Sequence, residues 1–242
     1  LCFNPRSRVG SDPATYNAWE RDLSFQSTLP RGERLDGLLS WVWFRENHPE
    51  LLAYGAEQDD WPTEELPLEK RYPAHDPNAW YWAVSFGQMQ IVKEYAYHWH
   101  RRFAVDRERY LDLSDRKSGR INTSSGLMKG YRHPVPVIIT PEVIWYAVGD
   151  RRELQRMLQQ VDYLGKRRSQ GFGWVREWIV EPWHFDWSER DDQGRLMRDL
   201  PVPEERAEAY HGIRPPYWHI KNRYPVEVWH GQVAAGDLSI TS

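Results

Sequence analysis

The sequence predicts an α+β protein with a ferredoxin-like core, in which the chain order βαββαβ forms a four-stranded antiparallel sheet backed by two helices. Two observations favour this fold class. Periodic segments follow one another as strand, helix, strand, long insertion, strand, helix, strand, and right-handed crossovers leave few other arrangements of them. A chain of 242 residues is also long enough for one elaborated domain with a sizeable core.

The first half of the core is predicted from a change in hydrophobic period. Alternating apolar residues at 22–27 are typical of a short strand. Apolar residues then recur at helical spacing from Leu35 to Trp43, and Pro49 is expected to end that helix. The aromatic run at 79–86 favours the second strand, because aromatic residues fit a half-buried sheet.

The second half of the core repeats the same order of elements. Residues 135–148 are β-prone and predict a kinked third strand. Asp150 predicts a helix N-cap, since Glu153 follows three residues later in a capping-box pattern. This helix is expected to end near 163–165, and the alternation over 172–180 predicts the fourth strand.

Three segments lie outside this pattern. Residues 1–21 are interpreted as an N-terminal arm without assigned structure, ahead of the domain at 22–180. An insertion at about 88–133 is longer than ordinary connections, which predicts a functional or a disordered segment. Residues 181–242 contain prolines and no clean periodicity, so we expect an irregular C-terminal extension, mostly loop, with no more than one hairpin.

Charge is nearly balanced overall but segmented along the chain. The 32 basic and 35 acidic residues give a net charge of -3, which excludes a uniformly basic nucleic-acid binder. Residues 101–133 and 151–176 are strongly basic, whereas 49–69 hold seven acidic residues and no basic one. Solvated helix faces produce such alternation, but basic blocks in Gly/Ser-rich loops favour binding of an anion.

The composition also bounds the location of the protein. A single cysteine, Cys2, excludes an internal disulfide, and its low cysteine content is typical of a reducing compartment. No run of 18 apolar residues predicts a membrane span, and residues 1–11 lack the apolar stretch of a secretory signal. We therefore expect a cytoplasmic protein with no membrane partner.

The segment richest in candidate binding residues is 164–174 (LGKRRSQGFGW). Its glycines permit positive φ and close approach of backbone N–H groups to an anion, while its cations supply charge. The spacing is not that of a P-loop, and the segment precedes a strand rather than a helix. A phosphodiester backbone suits this loop, and a solvated turn is the alternative. The candidate RNA-binding residues of the loop are Gly165, Lys166, Arg167, Arg168, Ser169, Gln170, Gly171 and Gly173.

At this loop the chain resembles the RAMP superfamily of CRISPR-associated RNA-binding proteins. The family signature is a glycine loop between the last helix and the last strand of a ferredoxin-like fold. Gly171-Phe172-Gly173 matches its second half, and Tyr163-Leu164-Gly165 matches its first half with Tyr163 where a glycine is common.

More of the chain is similar to one branch, the small RAMP subunit of type IV CRISPR effector complexes. The resemblance implies a non-catalytic subunit that holds the 5′ handle of the guide RNA and caps the effector backbone. It implies the guide RNA, the backbone RAMP subunit and the large subunit as partners, and leaves contact with target DNA open. The matching segments are the glycine loop, 34–41 (RLDGLLSW), 124–131 (SSGLMKGY), 143–149 (VIWYAVG) and 213–218 (IRPPYW).

The resemblance further implies that the insertion at about 88–133 is a thumb that folds over the RNA. Cations bind phosphates of single-stranded RNA, and aromatic rings stack on its bases. The basic residues at 101–109 could equally form a helix face paired with neighbouring acidic residues. The candidate RNA-binding residues of the insertion are Lys117, Arg120, Lys129, Tyr131 and Arg132.

The alternative function is a metal-independent endoribonuclease that processes CRISPR precursor RNA. Such cleavage needs a general base and a general acid, and histidine suits both. His98, His100 and His133 are the candidates, although the first two share a side only on a strand. No metal-ligand or nucleophile motif is present, so neither a metal nor a cofactor is expected, and we favour binding without catalysis.

A third hypothesis is a module for protein interaction. Exposed aromatic residues in the C-terminal extension would dock neighbouring subunits in that case. The candidates are Tyr210, Tyr217, Trp218 and Trp229.

Overall fold

The computed structural model describes residues 2–8, 25–27, 33–52, 64–101, 123–124, 129–165 and 171–231. Its helices are α1 (Leu35–Asn47) and α2 (Arg151–Leu158). Its strands are, in chain order, β1 (Cys2–Arg8), β2 (Phe25–Ser27), β3 (Lys70–Arg71), β4 (Tyr81–Trp82), β5 (Gln88–Met89), β6 (Lys93–Arg101), β7 (Tyr131–Thr140), β8 (Glu142–Ile144), β9 (Ala147–Val148), β10 (Glu177–Trp183), β11 (Leu200–Pro201), β12 (Ala209–Gly212) and β13 (Arg223–Glu227). The protein thus combines a few helices with small antiparallel sheets, as the α+β prediction requires.

The main sheet has the strand order β10-β1-β8-β5, with β9 also paired to β1. Every one of these pairs is antiparallel. β1 pairs with β10 along its whole length, from Cys2 opposite Trp183 to Arg8 opposite Glu177. The earliest strand in the chain is therefore a central strand of the sheet.

This arrangement corrects two sequence-based predictions. The supposed N-terminal arm contains β1, and the strand predicted at 22–27 is β2, which belongs to a different sheet and pairs with β7. Residues 2–8 (CFNPRSR) combine a proline with two arginines, so they carry no period-2 hydrophobic pattern. Pairing with strands far along the chain, rather than local propensity, makes this segment a strand.

Helix α1 confirms the predicted apolar face, since Leu35, Leu39 and Val42 are fully buried. It ends at Asn47, before a 3₁₀ turn that begins at Pro49. The predicted cap of α2 is also confirmed, because the Asp150 carboxylate accepts hydrogen bonds from the N–H groups at 152 and 153, at 2.8 and 3.2 Å.

Helix α2 ends at Leu158, five residues or more before the predicted end near 163–165. The N–H of Gln159 still donates to the carbonyl of Gln155, four residues back, but those of Gln160 and Val161 donate to the carbonyls of Met157 and Leu158, three residues back. This tighter turn ends the α-helix. Residues 161–164 then lead into the glycine loop outside any helix.

Both helices and the main sheet share one apolar core, which includes Trp82, Trp145 and Leu154. Trp178 fixes the start of β10 beside the end of α2, because its indole N–H donates to the Val161 carbonyl at 2.8 Å. Its ring also packs on that of Trp145, with centroids 5.8 Å apart. The two ends of the glycine loop are therefore anchored to the same core.

The predicted second strand, at 79–86, is mostly irregular: β4 covers two of its residues, and the strand that joins the main sheet is β5. The predicted start at 172 of the last strand is also corrected, because β10 begins at Glu177. Residues 171–173 form a turn instead. In the second case Gly173 interrupts the aromatic segment, because glycine has no side chain to pack in a strand.

Residues 184–231 contain more regular structure than the sequence predicted. β11, β13 and β12 form an antiparallel sheet in that order. A second core cluster joins Leu200, Ile213 and Val226 to Ala79 and Tyr81. The chain divides into two compact units, and this sheet belongs to the first of them, which comprises residues 1–93 and 138–242.

Residues 94–137 form a second compact unit. The described residues of this unit include most of β6 and the first part of β7. These two strands are hydrogen-bonded to each other. This unit overlaps the predicted insertion at about 88–133. In the part of the chain that the structure describes, neither helix is long and apolar enough to cross a bilayer.

Candidate nucleic-acid interface

The glycine loop is closed by a short antiparallel base. Tyr163 and Trp174 lie opposite one another in an isolated β-bridge. Two hydrogen bonds of 2.8 Å flank this bridge, from the Leu164 N–H to the Gly173 carbonyl and from the Val175 N–H to the Asp162 carbonyl. The two arms that lead into and out of the loop are therefore paired in a fixed antiparallel register.

All three predicted loop glycines adopt the left-handed conformation that favours glycine, with φ of 79° at Gly165, 82° at Gly171 and 79° at Gly173. A Cβ at Gly173 would lie 1.8 Å from the Leu164 carbonyl oxygen, so the two arms approach each other too closely for any side chain there. A Cβ at Gly171 would meet nothing within 4 Å. Gly173 closes the base, whereas Gly171 faces open space.

The base of the loop is buried on one side and exposed on the other. Leu164, Gly173 and Val175 are buried, and Leu164 and Val175 belong to the main core. The rings of Tyr163 and Trp174 remain 37% and 42% exposed. The predicted loop residues Lys166, Arg167, Arg168, Ser169 and Gln170 lie outside the described residues.

The candidates from the insertion fall in the second unit. Lys129, Tyr131 and Arg132 are exposed, at or just before the start of β7, with Tyr131 49% exposed. Lys117 and Arg120 lie outside the described residues. The exposed residues present two cations and an aromatic ring to solvent, which is the combination that single-stranded RNA needs.

The candidate catalytic histidines also lie in the second unit. His98 and His100 are on β6, so their spacing of two places them on one side of a strand. His133 is on β7 and exposed. Among the described residues, no group of three or more His, Cys, Asp or Glu is placed to hold a metal ion.

Sequence reasoning missed a polar cluster around Asp199. His211 Nδ1 lies 2.9 Å from Asp199 Oδ2, and the backbone N–H of Trp229 donates to Oδ1 at 2.8 Å. The Arg34 guanidinium lies 3.6 Å from the same carboxylate and stacks on the ring of Tyr217, 4.0 Å from its centroid. These residues lie far apart in the sequence and come together only in the folded chain, so no local sequence pattern predicts the cluster.

The same cluster corrects part of the prediction about C-terminal aromatics. Tyr210 and Trp218 are exposed as expected, with Trp218 at 71%. Tyr217 instead packs under Arg34, and Trp229 packs edge-on against Phe86 with centroids 5.3 Å apart. The latter two stabilise the fold rather than offer a docking surface.

Two buried carboxyl groups also escaped sequence reasoning, one on α1 and one in the segment that follows this helix in the chain. Asp36 and Glu64 are both buried, at 2% and 3% exposure. Burial raises the pKa of Asp36, and the guanidinium of Arg198 opposes this increase. Burial also raises the pKa of Glu64, to about 7, and the nearby Asp36 carboxylate adds to the increase.

The raised pKa of Glu64 predicts a pH-dependent stability. Between pH 4.5, the ordinary pKa of glutamate, and about 7, the folded state keeps a proton that the unfolded state releases. The free energy of unfolding therefore falls as pH rises through this window and stays lower above it. Glu64→Gln should remove this loss and raise the free energy of unfolding at pH 8 by up to about 3 kcal/mol.

Urea unfolding of the wild type and of Glu64→Gln at pH 5, 6, 7 and 8 measures this effect. Glu65→Gln is the matched control, because Glu65 is exposed and its loss should not change the pH profile. A gain at pH 8 that is equal for both variants would contradict the assignment to Glu64.

Comparison with known families places the chain among proteins associated with type IV CRISPR systems. Residues 23–229 match the model of the family described as CRISPR type IV associated protein Csf3, and the chain belongs to this family. The match covers both helices and the glycine loop but not β1. No curated protein matches the chain. The family-level resemblance predicted from the sequence is confirmed.

Proposed function

We propose that this protein is a non-catalytic RNA-binding subunit of a type IV CRISPR ribonucleoprotein, which holds the 5′ handle of the guide RNA and caps the effector backbone. Family membership supports a role as a subunit of a type IV complex. The observation that carries RNA binding is the glycine loop, where three positive-φ glycines flank a Lys-Arg-Arg run. Backbone N–H groups and cations together suit phosphate oxygens.

The strand order supports a ferredoxin-like core for this subunit. In such a core, two βαβ units interlock so that each pair of parallel strands encloses one antiparallel strand of the other unit. Here β1 and β5 enclose β8, while β8 and β10 enclose β1. Helix α1 lies in the chain between β1 and β5, and α2 lies between β8 and β10. The glycine loop then occupies the connection between the last helix and the last strand.

Charge on the loop gives the first test of RNA binding. Replacing Lys166, Arg167 and Arg168 by alanine should flatten the slope of log K against log salt concentration by about 2, since each phosphate contact on a single strand contributes roughly 0.7. The measurement is fluorescence anisotropy with a labelled single-stranded CRISPR repeat RNA at several salt concentrations.

A matched control removes three exposed cations elsewhere in the same unit. The variant Arg195→Ala, Arg206→Ala, Lys221→Ala changes the net charge equally, and its slope should stay close to that of the wild type. An unchanged slope in the loop variant, or an equal change in both variants, would remove the loop from the RNA interface.

The endoribonuclease remains a second candidate because β6 places His98 and His100 on one side of a strand. Incubating the chain with repeat RNA, with and without EDTA, separates the two functions. We expect tight binding without cleavage. Specific cleavage that persists in EDTA and is lost in His98→Ala or His133→Ala would establish the nuclease and overturn the proposal of a non-catalytic subunit.

A further inference from the structure

We propose that Tyr163 and Trp174, on the two paired arms that lead into and out of the glycine loop, form a platform on which nucleobases stack. This inference rests on the proposed RNA binding and defines how the bound strand is held. The expected ligand is therefore a single-stranded nucleic acid with accessible bases, and a polyanion without bases would lack the stacking interaction.

The hydrogen bonds at the base of the loop place the two rings side by side. The bonds join residues 164 to 173 and 175 to 162, which makes Tyr163 and Trp174 a non-hydrogen-bonded pair. In such pairs the Cα atoms are about 4.5 Å apart and both side chains point to the same face of the ladder. The two aromatic side chains therefore share one surface.

That surface faces solvent and has a rigid support. The neighbours of the rings along both arms, Leu164, Gly173 and Val175, are buried. Alternation on a strand then directs Tyr163 and Trp174 outward, and they retain 37% and 42% exposure. Two rings held on an ordered backbone lose little conformational freedom when a base stacks on them.

The surroundings favour a nucleobase over an apolar protein surface. Along the chain, the exposed side chains that flank Tyr163 and Trp174 are those of Asp162, Arg176 and Glu177, all charged. The pair therefore does not extend into the contiguous apolar patch that a protein-docking site usually presents. Lys166, Arg167 and Arg168 follow Tyr163 by only three to five residues, so a strand whose phosphates bind these cations has its bases available for stacking on the two rings.

Alanine substitution separates stacking from charge. Tyr163→Ala or Trp174→Ala should weaken binding of the repeat RNA about 5- to 150-fold each, at every salt concentration and with the salt slope unchanged. Tyr163→Phe and Trp174→Phe retain a flat ring and should bind within a few-fold of the wild type. Phe185→Ala, which removes an exposed aromatic ring elsewhere in the same unit, should have no effect.

An abasic scan of the RNA tests the platform on the wild-type chain, independently of any effect of a substitution on folding. Removing the stacked base should weaken wild-type binding at one or two positions, with no further loss in the alanine variants. Alanine variants that bind as tightly as the wild type, or an abasic scan with no sensitive position, would overturn the platform and leave the proposed RNA binding intact. Failure of the wild type to bind RNA would overturn the proposed function itself.

Discussion

Gly173→Ala should lower the free energy of unfolding by about 3 kcal/mol or more and abolish RNA binding. A side chain in the left-handed region costs roughly 1–2 kcal/mol. The new Cβ would also lie 1.8 Å from the Leu164 carbonyl oxygen, so the two arms must separate and break the 2.8 Å hydrogen bond from Leu164 to Gly173, at a further cost of about 1 kcal/mol. Because Leu164 is fully buried, that separation also disturbs the core.

Gly171→Ala is the matched control. Its φ of 82° is nearly the same, but nothing lies within 4 Å of its Cβ, so only the conformational cost of roughly 1–2 kcal/mol applies. Urea unfolding and RNA anisotropy of the two variants measure the difference. Equal destabilisation by both would mean that the close approach of the two arms does not exist in solution.

Arg198→Met should destabilise the protein by about 3–5 kcal/mol, because removing one member of a buried charge network leaves its partners unsatisfied. The Arg198 side chain is fully buried. Its guanidinium donates to the carbonyls of Trp82, Val84 and Ile213, the latter two at 3.0 and 2.8 Å. These bonds tie the segment before β5 to the C-terminal residues.

Asp36 provides a cross-check on this prediction. Arg198 acts electrostatically to lower the pKa of Asp36, so its removal also leaves a buried carboxyl without that cation. The double variant Arg198→Met, Asp36→Asn should therefore lose less stability than the sum of the single variants, which a double-mutant cycle in urea measures. Strict additivity would show that the two groups do not interact in the folded protein.

Local patterns predicted the elements that depend on neighbouring residues. The face of α1 follows from apolar spacing, and the N-cap of α2 follows from the chemistry of Asp150. The special backbone of the loop followed from glycine alone, and positive φ is observed at all three predicted positions. In each case, the residues that determine the structure lie within a few positions of one another.

Features set by distant pairing could not be predicted in this way. β1 carries no strand pattern of its own and depends on β8, β9 and β10. The burial of Arg198 contradicts the usual expectation that arginine is exposed, and only its carbonyl partners explain it. The exposure of Tyr163 and Trp174 likewise depends on the register of the loop base rather than on composition.

The position of β1 in the main sheet also bears on how the protein folds during synthesis. Cys2 pairs with Trp183, so the sheet cannot close until the ribosome has made and released the intervening chain. At about 5–20 residues per second, β10 follows β1 after roughly 10–40 s. Throughout that interval the backbone groups of β1 lack their native partners and are open to wrong pairing.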